Sequence, residues 1–146
     1  MALQRQSSAG YMTNMAARLM VRALGKRLTP LGMSPAYMPV LLALEHGPLT
    51  QKEIADGVGV EQPTMTATLN RMARDGWIER LPNPDDGRSA LVSLSEKARE
   101  HLPGVDAAVD AVNEAALGGL SATERAHYFE LLARVIARLE EDVRRG

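Results

Sequence analysis

Residues 48–94 read PLTQKEIADGVGVEQPTMTATLNRMARDGWIERLPNPDDGRSALVSL, and the fold turns on this stretch. Thr50 is followed three residues on by Glu53, a capping box in which each side chain satisfies a backbone N–H at a helix start. That helix is expected to end at Gly57. Val58-Gly59-Val60 then makes a short turn, and a second helix is expected to begin near Glu61-Gln62-Pro63-Thr64. Pro63 suits the first turn because its missing N–H would have no partner there. Two helices joined by a three- to four-residue turn containing Gly are the parts of a helix-turn-helix.

In the second helix Met65, Leu69, Met72 and Ala73 fall at three- and four-residue steps and make one apolar stripe. The other face carries Thr66, Asn70, Arg71 and Arg74, with Gln62 and Thr64 at its start. These side chains are of the kinds that read base edges and hold phosphates. Asp75-Gly76 stops the helix. Two β-rich runs, Trp77 to Leu81 and Ser89 to Leu94, flank Pro82-Asn83-Pro84-Asp85-Asp86-Gly87-Arg88, a hairpin tip too long for a two-residue turn. Arg88 is expected at the far end of this projecting loop, where a guanidinium can enter a narrow minor groove. The fold class is therefore mainly α with a small β wing, a winged helix-turn-helix lobe. Its expected DNA contacts are Thr50, Gln51, Gln62, Pro63, Thr64, Thr66, Asn70, Arg71, Arg74 and Arg88.

Outside this stretch, residues 1 to 8 are small, polar and aperiodic and are expected to be disordered. From Gly10 to Leu28, Tyr11, Met12, Met15, Ala16, Leu19, Ala23 and Leu24 keep helical spacing. Arg18, Arg22 and Lys26 line another face, either as a solvated or salt-bridged row or in contact with phosphate. Leu28 to Met33 reads as a loop. Ser34-Pro35 caps a helix expected to reach His46, with a bend where Pro39 removes a hydrogen bond. Ser95 opens a long helix to about Leu117, in which Pro103-Gly104 should make a kink. Gly118-Gly119 breaks the chain, and Ser121 with Glu124 forms a second capping box. The last helix carries a broad apolar stripe of Tyr128, Leu131, Leu132, Val135, Ile136 and Leu139.

A small winged lobe cannot bury the stripes of the first helix and the last two. They are expected to pack against a second copy, giving a homodimer and a pseudo-palindromic site with half-sites roughly 34 to 36 Å apart.

The quoted stretch, extended through Ser95-Glu96-Lys97-Ala98, closely resembles the DNA-binding lobe of the MarR (multiple antibiotic resistance regulator) family of bacterial transcription factors. Asp86 and Arg88 match that family's Asp-x-Arg wing signature. Ser95-Glu96-Lys97-Ala98 departs from the Thr-x-x-Gly common after the second wing strand, which bears on where the next helix starts. The flanking helices also resemble the family, so the resemblance covers nearly all of 1–146 as a single MarR-like domain, with a winged lobe at 34–98 and dimerisation helices at 10–33 and 99–144. It implies a transcription regulator acting on double-stranded DNA, a repressor released by a small aromatic or phenolic effector bound between the lobes. Tyr11, Met12, Met15, Met33, Tyr37 and Met38 gather in the first two helices and are either core filler or the lining of such a pocket. Asp86 is expected to orient an arginine, which one being open.

Composition limits the other readings. The chain has 146 residues, enough for one domain or two lobes sharing a core, and no apolar run approaches the roughly 20 residues of a membrane helix. The first twenty residues read as neither signal peptide nor anchor. Zero cysteines exclude disulfides and thiolate metal sites, and a cytoplasmic protein is expected. Net charge is only -1, but residues 1 to 44 hold no acid, while residues 99 to 146 are acid-rich. That asymmetry is expected to bring the end helices together, within one chain or across a dimer. There is no Gly-rich phosphate loop, nucleophile elbow or HExxH motif. His46, His101 and His127 lack ligand spacing, so no catalytic group, cofactor or metal is expected, although zinc-sensing relatives exist in the family. The rival reading is a winged helix that binds protein without DNA specificity, favoured by Glu61, Asp75, Glu79, Asp85 and Asp86 in the lobe.

Overall fold

The computed structural model describes residues 5–146. Its contacts divide the chain into two units, one ending at Val109 and one comprising Asp110–Gly146.

In the first unit Arg5–Ser7 form a 3-10 turn rather than disordered chain, and residues 1 to 4, also expected to be disordered, lie outside the described residues. Ser8 caps α1 (Ala9–Leu28) by accepting from the Tyr11 N–H. Leu28 at its end is wholly buried and Leu24 packs beside it, so the first helix is not left entirely without a core. The expected loop winds into a 3-10 turn, Thr29–Leu31. Ser34 caps a further 3-10 turn, Pro35–Tyr37, before α2 (Met38–Ala43) begins. Pro39 thus sits in the first turn of α2, where it costs no hydrogen bond, and the bend expected at Pro39 is replaced by the 3-10/α junction. The α2 helix also stops short of His46.

A two-residue strand, β1 (Leu49–Thr50), precedes α3 (Gln51–Val58). Both bonds of the Thr50–Glu53 capping box are made, at 3.0 and 3.2 Å. The helix continues past Gly57 and ends at Gly59, whose φ of +77° is one that L side chains rarely adopt. After the turn, α4 (Gln62–Arg74) starts with Pro63 in its first turn. The wing strands are β2 (Ile78–Pro82) and β3 (Ala90–Leu94), antiparallel, and β1 adds to the outer side of β3 to give the order β1-β3-β2. Pro82 pairs with Ala90 on the edge strand, so the tip runs from Asn83 to Ser89, one residue later than expected.

Ser95 caps α5 (Glu96–Leu117), accepting from the Ala98 N–H at 3.1 Å and donating to the Gly76 carbonyl at 2.6 Å. The helix start is thus capped despite the departure at Ser95-Glu96-Lys97-Ala98. The helix runs on unbroken through Pro103. At Gly104 an added Cβ would come within 3.3 Å of the Leu31 side chain, so this glycine is a packing seat. One core joins Leu28, Tyr37, Val40, Ile54, Leu69, Met72, Trp77, Val92 and Val105 across all these elements.

The second unit holds the end of α5, a turn through Gly118 and Gly119, and α6 (Ala122–Arg145). Ser121 and Glu124 make both bonds of the expected capping box. Arg125 reaches back to Glu114 with two bonds, at 2.7 and 3.3 Å, and to the Leu117 carbonyl. The apolar stripe of α6 stays largely uncovered: Leu131, Val135, Ile136 and Leu139 are each about half exposed, and Phe129 and Val143 extend it. Among the described residues no helix is long and apolar enough to cross a membrane.

Candidate nucleic-acid interface

The two faces of α4 separate as its spacing requires. Met65, Thr68, Leu69 and Met72 are buried, whereas Gln62, Pro63, Thr64, Thr66, Asn70, Arg71 and Arg74 are exposed. Gln62, Thr66, Asn70 and Arg74 recur every four residues and make a polar ridge without an acid. The ridge is tied at its start to α3, because Gln51 bonds the Gln62 side chain at 3.2 Å and the Thr66 hydroxyl at 2.6 Å. Thr66 in turn donates to the Gln62 carbonyl, which spends its proton inside the helix. Thr50 and Gln51 also line a groove of about 460 Å³ shared with Lys52, Arg80, Asn83, Asp86 and Val92.

A second tie was not legible beforehand. Period-two alternation puts Arg80 on the same side of β2 as buried Ile78, the side that meets α4. Its Nη2 donates to Asn70 Oδ1 at 2.9 Å, joining wing to helix. The alternation of the strand was the available signal; the identity of the partner was not in it.

The wing loop is held by its own polar side chains. Asn83 accepts from the Asp85 N–H at 3.0 Å and Asp86 from the Arg88 N–H at 2.9 Å. Asp86 therefore holds the backbone of Arg88, and among the described residues it pairs with no guanidinium. Arg88 and Arg71 are exposed and likewise make no ion pair among the described residues.

What holds the wing to α4 is the helix end. Gly76 and Trp77 return N–H bonds to the carbonyls of Ala73 and Met72, a Schellman motif that delivers the Trp77 ring into the core. Asp75 is fixed from two other sides: Tyr37 donates to its carboxylate at 2.9 Å and Lys97 to its carbonyl at 2.8 Å. The Tyr37 bond, helped by Arg74 and Lys97, holds the Asp75 carboxyl below the ordinary carboxylate range. Burial, and then the same bond, pushes the Tyr37 phenol up. Glu53 and Glu124 are lowered by the backbone N–H groups they cap, and Glu114 by Arg125.

A carboxylate whose folded pKa is depressed contributes stability above its unfolded value and loses it as pH falls through the folded one. The melting temperature should therefore hold down to about pH 5 and decline below about pH 4.5, less steeply in Asp75→Asn. A melting temperature unchanged down to pH 3 would rule out this account.

Of the six residues expected to line an effector pocket, Met33, Tyr37 and Met38 share one core cluster. Met33 and Tyr37 are in the core, and Met38 lines a hollow of only about 80 Å³ with Leu41, Leu102 and Val105. Tyr11 and Met12 lie exposed on α1 and Met15 is half-buried. Tyr11, Met12 and Met15 lie on α1 and Met38 on α2, whereas Tyr37 ends a 3-10 turn and Met33 lies between elements, so their faces depend on what these segments pack against. His101 bonds the Lys97 carbonyl and stacks edge-on with Trp77; among the described residues no cluster of three metal-ligating side chains occurs. Arg18, Arg22 and Lys26 are exposed on α1 with no ion pair among the described residues, which leaves both of their readings standing.

Residues 31–89 match the sequence model of the MarR family. A curated relative, the uncharacterized HTH-type transcriptional regulator YwoH of Bacillus subtilis, is 36% identical over 91 residues. That match covers 62% of this chain and 66% of the relative's length, just under two thirds. Among solved structures, a mutant of Escherichia coli MarR complexed with operator DNA superposes with a TM-score of 0.80 at 29% identity, covering 86% of this chain and 91% of the other. A probable transcriptional regulator from Pseudomonas aeruginosa gives 0.81 at 28% identity, covering 90% and 99%.

Proposed function

We propose, from the match of residues 31–89 to the MarR family and the likeness to its solved members, that the chain is a sequence-specific repressor that binds a pseudo-palindromic operator as a homodimer. The observation that carries this reading is the acid-free ridge of α4, backed by a buried apolar face and flanked by a wing whose loop carries Arg88. In it Gln62, Thr64, Asn70, Arg71 and Arg74 meet the major groove from the exposed face of α4, with Pro63 opening that helix against the backbone. Thr50 and Gln51 approach phosphates from the start of α3, and Arg88 enters the minor groove. Thr66 serves chiefly to hold Gln51 and Gln62.

Homodimer formation is supported by the uncovered stripe of α6 and by Leu19 and Val21 on α1, about half exposed in the isolated chain. Release by a small aromatic or phenolic effector rests on family resemblance alone, and a change in the spacing of two reading lobes is its simplest mechanism.

A gel shift with the DNA upstream of the chain's own coding sequence tests the reading. Sequence-specific retention is expected, and Arg88→Ala should lose about 1–3 kcal/mol per half-site with a shallower salt dependence. No retention even at low salt would instead favour the protein-interaction reading, to which the wing's Glu79, Asp85 and Asp86 lend weight.

A further inference from the structure

Asn70 is the one ridge residue whose amide is held from the wing, and the chemistry of that bond fixes which way round it sits. The partner is Arg80 Nη2 at 2.9 Å. A guanidinium has five donors and no acceptor, so the atom facing it must be the amide oxygen. The register of β2 on β3, with Arg80 opposite Val92, sets where that guanidinium stands. Asn70 is exposed, and it offers a ligand the two N–H donors of its Nδ2 group, while the second lone pair of its Oδ1 lies beside the guanidinium.

An asparagine free to flip pairs with adenine by donating to N7 while accepting from the N6 amino group. Here the accepting oxygen is engaged by a cation, whose charge also opposes the approach of another donor. Asn70 and Arg80 together therefore present a donor-rich, positively charged surface, in which the remaining lone pair of Oδ1 is disfavoured as an acceptor by the adjacent charge. The complement is a surface of acceptors, found on DNA at the O6/N7 edge of guanine and at phosphate oxygens.

Resting on the DNA-binding reading above, we propose that Arg80 is a positioning residue that fixes the amide of Asn70 with its donors outward, so that this position prefers hydrogen-bond acceptors, the guanine edge or a phosphate, over adenine. Wing and recognition helix are then one reading unit: a displaced wing would change which base Asn70 accepts as well as how tightly the lobe holds.

The test is selection from random double-stranded DNA with the full-length protein and the variants Asn70→Ala, Asn70→Asp and Arg80→Met, followed by affinities on the selected site. Wild type should enrich guanine at one position per half-site, and Asn70→Ala should level that preference. Arg80→Met frees the amide to turn, so adenine should rise there and the guanine-to-adenine ratio fall about tenfold. Asn70→Asp keeps an acceptor for Arg80 but offers no donor, and should lose the guanine preference as Asn70→Ala does; it carries the test if Arg80→Met melts early. If the acceptor is a phosphate, the Asn70 and Arg80 variants should weaken all sequences alike, and a methylphosphonate at one backbone position should reproduce the loss. Enrichment of adenine at the Asn70-dependent position, or an Arg80→Met variant with unchanged base preference and affinity, overturns the proposal while leaving DNA binding intact. No enrichment by the wild type overturns the DNA-binding reading and this proposal with it.

Discussion

Replacing Leu131, Val135 and Leu139 by glutamate is expected to leave a chain that sediments as a monomer and holds its DNA site about 10²–10⁴-fold more weakly than the parent. These three side chains lie on one stripe of α6, each about half exposed, in a helix none of whose residues is buried within the chain. Each of these half-exposed side chains that becomes fully buried against a second copy contributes about 1 kcal/mol, roughly half the full-burial value, and a glutamate there would add the cost of desolvating a charge. Loss of the pair converts two linked half-site contacts into one, which is where the large factor arises. Sedimentation and a gel shift on full and half sites check it. A variant that stays dimeric, or a parent chain that is already a monomer, would remove α6 from the interface.

Trp77→Ala should cost about 3–5 kcal/mol, a large share of the roughly 5–15 kcal/mol that holds a typical domain together. The ring is wholly buried, packs edge-on against His101 and lies under the Lys97 ammonium at 4.2 Å. Its backbone joins α4 to α5, through the N–H bond to Met72 and the carbonyl bond from Ser95. The mutation empties the space where recognition helix, wing and α5 meet, so DNA affinity should fall along with stability. Trp77→Phe is expected to be much milder, since the indole N–H is buried without a hydrogen-bond partner among the described residues and its removal leaves nothing unpaired. Denaturant melts of the two variants decide this: equal losses would mean that the N–H, not the ring volume, is what the core needs.

The helix starts were legible because capping acts over three or four residues. Thr50, Ser121, Ser34 and Pro63 stand where their chemistry demands. Ends were less secure. Gly57 and Gly59 are both plausible stops, and only the positive φ at Gly59 distinguishes them. Pro39 and Pro103 were both expected to disturb a helix. One lies in a first turn, where it is harmless, and the other lies within a helix that continues through it beside the Leu31–Gly104 contact. The strand Leu49–Thr50 escaped notice because two residues carry no period.

By itself the sequence determined the order of the main helices and the two wing strands, the buried and exposed faces of α4, and the apolar stripe left over on α6. All three follow from spacing along one segment. Only the tertiary structure decided that Arg80 meets Asn70, that Tyr37 anchors Asp75, that Asp86 holds the backbone of Arg88, and that Met33 and Tyr37 belong to the core. Most of those pairings join side chains that are distant in sequence, and each depends on strand register, helix docking or loop closure, which neither residue of a pair encodes alone.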